Sequence, residues 1–168
     1  MQAARGAHSL GERRAVVLLF STAAVWITVD QITKAMAVAS LRPGEPVRAL
    51  GHIVYWTLQR NSGAAFSIFT SVPWLFTILA FLISIAIVVY ARHVSSRMYA
   101  LALGLVLGGA IGNLIDRLAR APGPFRGHVV DFIDLRVWPV FNVADSGVVI
   151  GAILLVLASF LEERSKRA

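Results

Sequence analysis

Four long apolar stretches constrain this chain more than any other feature, because each is long enough to cross a lipid bilayer as a helix. Hydrophobic residues make up 57% of the 168 residues and charged residues only 15%, which is far too apolar for a soluble domain. The sequence predicts an α-helical integral membrane protein with four transmembrane helices, in one membrane-embedded domain over residues 1–168. The spans lie at about residues 15–39, 72–91, 98–118 and 143–161.

Two segments between the spans have a different character. The first, 40–71, opens with helix-breaking prolines and then becomes rich in β-branched and aromatic residues, so 52–58 is predicted as a short strand. The second, 119–142, contains another predicted strand at 127–135. We expect the two to pair into a small sheet. An apolar piece at 66–74 is too short to span and predicts a short interfacial helix.

Basic residues lie mainly at the ends of the apolar stretches, where they set orientation and meet anionic lipid. Four spans put both termini on one side, and the short segments there are denser in Lys and Arg than the opposite loops. This favours cytoplasmic termini and extracytoplasmic strands. The net charge of +7 comes without a basic patch interleaved with aromatic residues, so a nucleic-acid partner is not expected. The absence of cysteine excludes disulfides and thiolate chemistry.

Other features of the spans have simpler explanations. A cleaved signal peptide is the alternative for 15–39, but Asp30 and Lys34 follow its apolar run, which favours a retained helix. Gly104, Gly108 and Gly112 recur every four residues, and we interpret them as a helix-packing face.

Polar side chains in and beside the spans are predicted to meet at one level, the outer membrane interface. Helix direction and the 1.5 Å rise per residue place them near the extracytoplasmic ends of three spans. Scattered structural charges would have no reason to share a depth. The residues are Asp30, Lys34, Asn113, Asp116, Arg117, Asn142 and Asp145.

Two acids, Asp131 and Asp145, stand among apolar neighbours, where a carboxylate is costly unless it has a function. If they lie close together they cannot both ionise cheaply, so the pair would share one proton and activate a water, as aspartic proteases do. Simpler interpretations remain open. Asp145 fits a first-turn helix acid, Lys34 fits an ion pair with Asp30 that snorkels to the headgroups, and Asp134 fits a solvated loop ion pair with Arg136.

Three other chemistries are weaker. A serine nucleophile at Ser62 or Ser146 lacks an evident histidine partner. A magnesium site could use the side chains of His128, Asp131 and Asp134 as ligands. An enzyme with such a site would be a metal-dependent membrane phosphotransferase. A proton-coupled carrier is the non-enzymatic alternative, although it calls for charges at the middle of the membrane.

Five motifs, in order along the chain, resemble those of the lipoprotein signal peptidase (type II signal peptidase) family of bacteria. Together they run from the first span to the fourth. The motifs are Asp30-Gln31-x-x-Lys34, Asn61-Ser62-Gly63-Ala64-Ala65-Phe66, Gly109-Ala110-x-Gly112-Asn113-x-x-Asp116-Arg117, Gly127-x-Val129-Val130-Asp131-Phe132 and Phe141-Asn142-x-Ala144-Asp145.

The resemblance implies an aspartyl endopeptidase of the bacterial cytoplasmic (inner) membrane, with an extracytoplasmic β-cradle and no metal or other cofactor. Its substrate would be a diacylglyceryl-modified prolipoprotein in membrane lipid, cut just before the lipidated cysteine, and globomycin-type antibiotics would occupy the same cleft. By position, Asp131 and Asp145 would form the catalytic dyad. The residues implied to bind substrate or hold the dyad are Asp30, Lys34, Asn61, Gly63, Asn113, Asp116, Arg117 and Asn142.

Overall fold

Four long helices and a small sheet make up the part of the chain that is described. The computed structural model describes residues 2–63 and 73–167, with side chains from residue 11 in the first helix and from residue 74 in the second. The helices are α1 (Gln2–Ser40), α2 (Pro73–Tyr90), α3 (Arg97–Ala119) and α4 (Val143–Arg167). The strands are β1 (Val47–Leu50), β2 (Val54–Asn61) and β3 (Val129–Asp134).

The helices confirm the four predicted spans. By length and apolar composition, Gly11–Ser40, Trp74–His93, Arg97–Ala119 and Val143–Arg167 can each cross a membrane. Two helices run beyond the predicted spans: α1 begins at Gln2, and α4 ends at Arg167. The polar last turns of α4 stay helical because Lys166 pairs with Glu162 one turn earlier and Arg167 pairs with Glu163.

Glycines bring the helices close together, as predicted for the face of α3. A Cβ on Gly104 would lie 2.6 Å from the Leu19 carbonyl oxygen of α1, and one on Gly108 would lie 2.8 Å from Trp26. On another face of α3, Gly109 lies against Ala144 of α4. Helix α3 is therefore the central helix of the bundle, and it contacts α1 and α4 at backbone distance.

The three strands form an antiparallel sheet in the order β1-β2-β3. The prediction of two paired strands was incomplete, because a hairpin divides the first β-rich segment. Gly51 adopts a positive φ of 54°, and Ile53 N–H donates to the Leu50 carbonyl at 3.1 Å, so β2 begins at Val54. The predicted interfacial helix at 66–74 lies outside the described residues, except that Pro73 and Trp74 open α2.

The sheet is anchored to the C-terminal ends of α1 and α3. Val130 and Phe132 of β3 pack with Leu58 of β2 and Ala37 of α1 in one buried cluster. Just before β3, the Gly127 N–H donates to the Arg117 carbonyl at 3.0 Å. The backbone of Gly127 lies so close to the end of α3 that a Cβ on this residue would overlap backbone carbonyls of α3. These contacts fix β3, and with it Asp131.

We predict that Gly104→Ala lowers the free energy of unfolding by about 1–3 kcal/mol, because the added methyl group meets the backbone of α1 and cannot be relieved by a rotamer change. Gly11→Ala is the matched control, since a Cβ at that helical position meets nothing within 4 Å. Thermal unfolding in detergent measures both. Equal stability of the two variants would show that α1 and α3 are not packed at this distance.

Candidate active site

The first turn of α4 fixes Asp145 by a reciprocal pair of hydrogen bonds. Asn142 is the residue before the helix, and its side-chain Oδ1 accepts the Asp145 N–H at 2.9 Å. The Asp145 carboxylate in turn accepts the Asn142 N–H at 3.2 Å. This is the capping-box arrangement, so Asp145 is indeed a first-turn acid. The rest of its surroundings show that capping is not its whole role.

Asp131 projects from β3 towards the same turn. The Asn142 side-chain amide donates to Asp131 Oδ1 at 2.7 Å, and the Asn61 amide of β2 donates to Oδ2 at 2.9 Å. The Gly63 N–H donates to Asn61 Oδ1 at 2.8 Å, which orients that amide. Asp131 is only 1% exposed. Asn142 therefore contacts both acids, and the strand and the helix bring the two predicted catalytic carboxylates to one place.

A third amide, Asn113 of α3, completes the shell around Asp145. Its Nδ2 donates to Asp145 Oδ1 at 2.7 Å. Its Oδ1 accepts from the Asn142 amide at 3.2 Å and from Lys34 Nζ at 3.0 Å. Because Lys34 can only donate, it determines which end of the Asn113 amide faces Asp145.

Lys34 is fully buried, so the interpretation of a lysine that snorkels to the headgroups is wrong. Its ammonium lies 2.9 Å from Asp30 Oδ2 and 3.0 Å from Asp116 Oδ2, in addition to its bond to Asn113. An ammonium has three N–H donors, and these three acceptors use all of them. Lys34 therefore holds the helices that carry the site, and its donors are not free for a substrate.

The two acids beside Lys34 each use a further contact to hold an element of the site. Asp30 accepts the Ala144 N–H of α4 at 2.9 Å. Asp116 accepts the Val130 N–H of β3 at 3.1 Å, and the Arg120 guanidinium lies 2.6 Å from its other oxygen. The predicted convergence of polar groups is confirmed by this connected network.

A cavity of about 300 Å³ opens beside Asp145. Its polar wall includes Asn61, Asn113, Arg117 and Asp145, and its apolar wall comes largely from α2. The Arg117 guanidinium is 6% exposed and lies over the Phe76 ring, 5.8 Å from the centroid. Among the described residues, its Nη1 has no hydrogen-bond partner. The cavity therefore joins a donor, an acid and an apolar surface.

Burial, and after it the charge of Asp145, raise the pKa of the Asp131 carboxyl to about 7. The amides of Asn61 and Asn142 and the charge of Lys34 oppose this shift. Near neutral pH one acid can hold a proton while its neighbour is ionised. This is the arrangement that two-carboxylate catalysis uses.

The other sequence candidates lie elsewhere or have other partners. Asp134 is buried at the end of β3, where its carboxylate accepts a hydrogen bond from Thr57 Oγ1 at 2.9 Å. Arg136 Nε lies 3.6 Å from the same carboxylate. The predicted ion pair with Arg136 therefore exists, but Asp134 is not solvated in a loop. The Ser146 hydroxyl donates to the Asn142 carbonyl at 3.0 Å. Within 2–63 and 73–167, no three His, Asp or Glu side chains come together as metal ligands.

Two supporting residues were not singled out from the sequence. Gln31 donates to the Gly112 carbonyl at 3.1 Å and to Asp30 at 3.0 Å, which closes the gap between α1 and α3. Arg120 follows Asp116 by one helical turn, and that spacing alone could have indicated the pair. Gln31 stands in the first of the five motifs, but its partner on α3 is a backbone carbonyl, which no side-chain pattern marks.

Comparisons with known proteins agree with this geometry. A family model described as signal peptidase (SPase) II matches residues 22–161. A curated lipoprotein signal peptidase of Mycobacterium leprae is 54% identical over 146 residues, which are 87% of this chain and 73% of that protein. One of Rhodococcus jostii is 53% identical over 145 residues, covering 86% and 73%.

Two solved structures, both described as bacterial membrane enzymes determined by the in meso method, share the fold. The first, at 2.3 Å resolution, has a TM-score of 0.77 and 31% identity over 89% of this chain and 91% of its own. The second, at 1.9 Å, has a TM-score of 0.73 and 32% identity over 83% and 90%.

We predict that Asp131 makes the protein less stable as pH rises from about 4 to about 7. Its pKa in the folded state, about 7, lies above the ordinary 3.8, so in this window the folded protein binds more protons than the unfolded chain. Across this pH window, the free energy of unfolding of Asp131→Asn should increase relative to that of the parent protein by up to about 1.4 kcal/mol per pH unit. Thermal unfolding at stepped pH measures the difference, and parallel curves would contradict the buried, coupled acid.

Proposed function

The chain belongs to the signal peptidase II family, and from this premise we propose that it removes the signal peptide of diacylglyceryl-modified prolipoproteins by cleaving before the lipidated cysteine. It is an aspartic-type endopeptidase of a bacterial inner membrane. Family membership excludes the phosphotransferase and carrier alternatives. We further propose one peptidase domain over residues 1–168, with cytoplasmic termini and an active site near the outer leaflet.

The observation that carries the proposal is the double contact of Asn142. Its side chain donates to Asp131 and its backbone N–H donates to Asp145, so one residue contacts both carboxyl groups. Two carboxyl groups held in this way can share one proton and bind a single water between them. The proposal therefore assigns Asp131 and Asp145 as the catalytic residues.

In the first proposed step, ionised Asp145 takes a proton from the water while the water oxygen bonds to the scissile carbonyl carbon. Protonated Asp131 donates a hydrogen bond to the carbonyl oxygen, which gains negative charge as the double bond opens. The raised pKa of Asp131 supports it as the protonated partner. The bonds of Asp145 to Asn113 and to a helix N-terminus support it as the ionised one.

In the second step, the tetrahedral intermediate collapses. The C–N bond breaks, the cysteine nitrogen receives the proton that Asp145 took from water, and the new carboxyl group leaves with the signal peptide. Both acids return to their starting states. The hydrolysis is thus balanced by one water, and the proposed mechanism uses no cofactor.

The cavity beside Asp145 supports the proposal of a substrate that is partly polar and partly apolar. Its apolar wall, which includes Leu79 and Ile83 of α2, suits a signal peptide or the acyl chains of a membrane-embedded substrate. Its polar wall suits the peptide backbone, with Asn61, Gly63 and Arg117 as the proposed contacts. Globomycin-type peptides are proposed to compete for this space. The remaining predicted site residues act here as supports of the acids.

We predict that Asp131→Asn and Asp145→Asn each reduce processing of a diacylglyceryl-modified prolipoprotein by at least about 10³-fold, because neither amide can exchange the required proton. Asp134→Asn is the matched control, since it changes the same residue type in the same strand but away from the cavity. Processing is measured by gel shift with purified protein. Normal turnover by either dyad variant would remove that residue from the chemistry.

The substrate class has its own test. The purified protein should cleave the diacylglyceryl-modified prolipoprotein and leave the unmodified precursor intact, and a chelator should not change the rate. Equal cleavage of both precursors would contradict recognition of the lipid. A rate lost with EDTA and restored by magnesium would contradict the two-aspartate mechanism.

A further inference from the structure

Trp26 of α1 contacts the first turn of α4 from outside the polar network around the two acids. Its indole N–H donates to the backbone carbonyl of Val143 at 3.0 Å, across 117 positions of sequence. Val143 is the first residue of α4, two positions before Asp145. A side chain deep in one helix thus binds the backbone turn that carries a proposed catalytic acid.

The same peptide group is held from its other end. Its N–H belongs to Ala144 and donates to Asp30 Oδ1 at 2.9 Å. Trp26 and Asp30 are four residues apart and so lie on one face of α1. A helical carbonyl points towards the C-terminus and its N–H towards the N-terminus, so two side chains one turn apart can reach both ends. The orientation of this peptide plane is therefore determined by α1.

The indole has little freedom to move. A Cβ on Gly147 of α4 would overlap the indole nitrogen, and a Cβ on Gly108 of α3 would lie 2.8 Å from the Trp26 Cβ. The ring therefore lies in a slot that exists because both neighbouring helices have glycine there. Three helices meet at this side chain, directly below the turn that begins at Val143.

We propose that Trp26 is a positioning residue for the reaction: together with Asp30 it holds the Val143–Ala144 peptide group and so sets where the Asp145 carboxylate stands relative to Asp131. The inference rests on the proposed function. Without the indole bond, the first turn of α4 keeps the bond to Asp30, its own cap and the Asn113 bond to the Asp145 side chain, but the Val143 carbonyl loses its contact with α1. A misplacement of about 1 Å at a reacting group costs roughly 10²-fold in rate.

The test compares Trp26→Phe with the parent protein in processing of the diacylglyceryl-modified precursor. Phenylalanine keeps an aromatic ring but has no N–H donor. We expect kcat to fall by roughly tenfold or more while KM stays within about twofold. If Asp145 moves away from Asp131, its charge acts more weakly there, so the high-pH limb of the rate profile should also move to lower pH.

Trp138→Phe is the matched control, because Trp138 is largely exposed in the loop before α4, and it should leave kcat and the pH profile unchanged. Incorporation of benzothienylalanine at position 26 keeps the bicyclic shape without the N–H. It should reproduce the Trp26→Phe kinetics with little change in thermal stability, which guards against a packing defect.

The outcomes separate the two proposals. A parent protein that does not cleave the lipidated precursor would overturn the proposed function itself. The role of Trp26 alone would be overturned by a different result. In that case the parent protein cleaves the precursor, and Trp26→Phe and the benzothienyl variant keep the parental kcat and pH profile. A lower melting temperature with unchanged kinetics would also overturn it, since that is what a purely structural residue predicts.

Discussion

The buried ammonium of Lys34 is the interaction on which the rest of the structure depends. It joins α1 to α3 through Asp30 and Asp116, and each of those acids uses another contact to hold α4 or β3. Burying three charges carries a large desolvation cost, which is offset only when every partner is well placed. Loss of the ammonium would leave Asp30 without its cationic partner and Asp116 with Arg120 alone. The cluster therefore determines the relative positions of the elements that carry Asp131 and Asp145.

Two kinds of carboxylate lie side by side in this site, and their neighbours differ. Asp30 and Asp116 have Lys34 as a cationic partner. Asp131 and Asp145 instead receive hydrogen bonds from the neutral amides of three asparagines. An amide stabilises a carboxylate far less than a cation does, so a proton can still come and go. The first pair is suited to architecture and the second to chemistry at neutral pH.

The sequence predicted the four spans and the meeting of polar residues because both follow from hydropathy and helix rise alone. It did not predict the hairpin at Gly51, since a continuous β-rich run does not reveal where a turn divides it. It left open the alternative that Lys34 snorkels, because whether a lysine snorkels or is buried depends on which acid faces it across the bundle. The role of Trp26 could not be predicted for the same reason. Its hydrogen-bond partner is a backbone carbonyl of another helix, and no pattern of side chains in the sequence identifies such a carbonyl.

The catalytic pair combines one acid on a strand with one on a helix, and this division explains why the supports are so numerous. A three-stranded sheet whose first strand is fully exposed cannot hold a carboxylate by its own packing, so β3 is tied to α3 through Asp116 and Gly127. A helix terminus likewise tends to fray, so the first turn of α4 is tied to α1. Both ties lead back to α1 and α3, which pack at backbone distance through glycines. The precision of the site thus depends on the close packing of α1 against α3, although neither acid lies on either of those two helices.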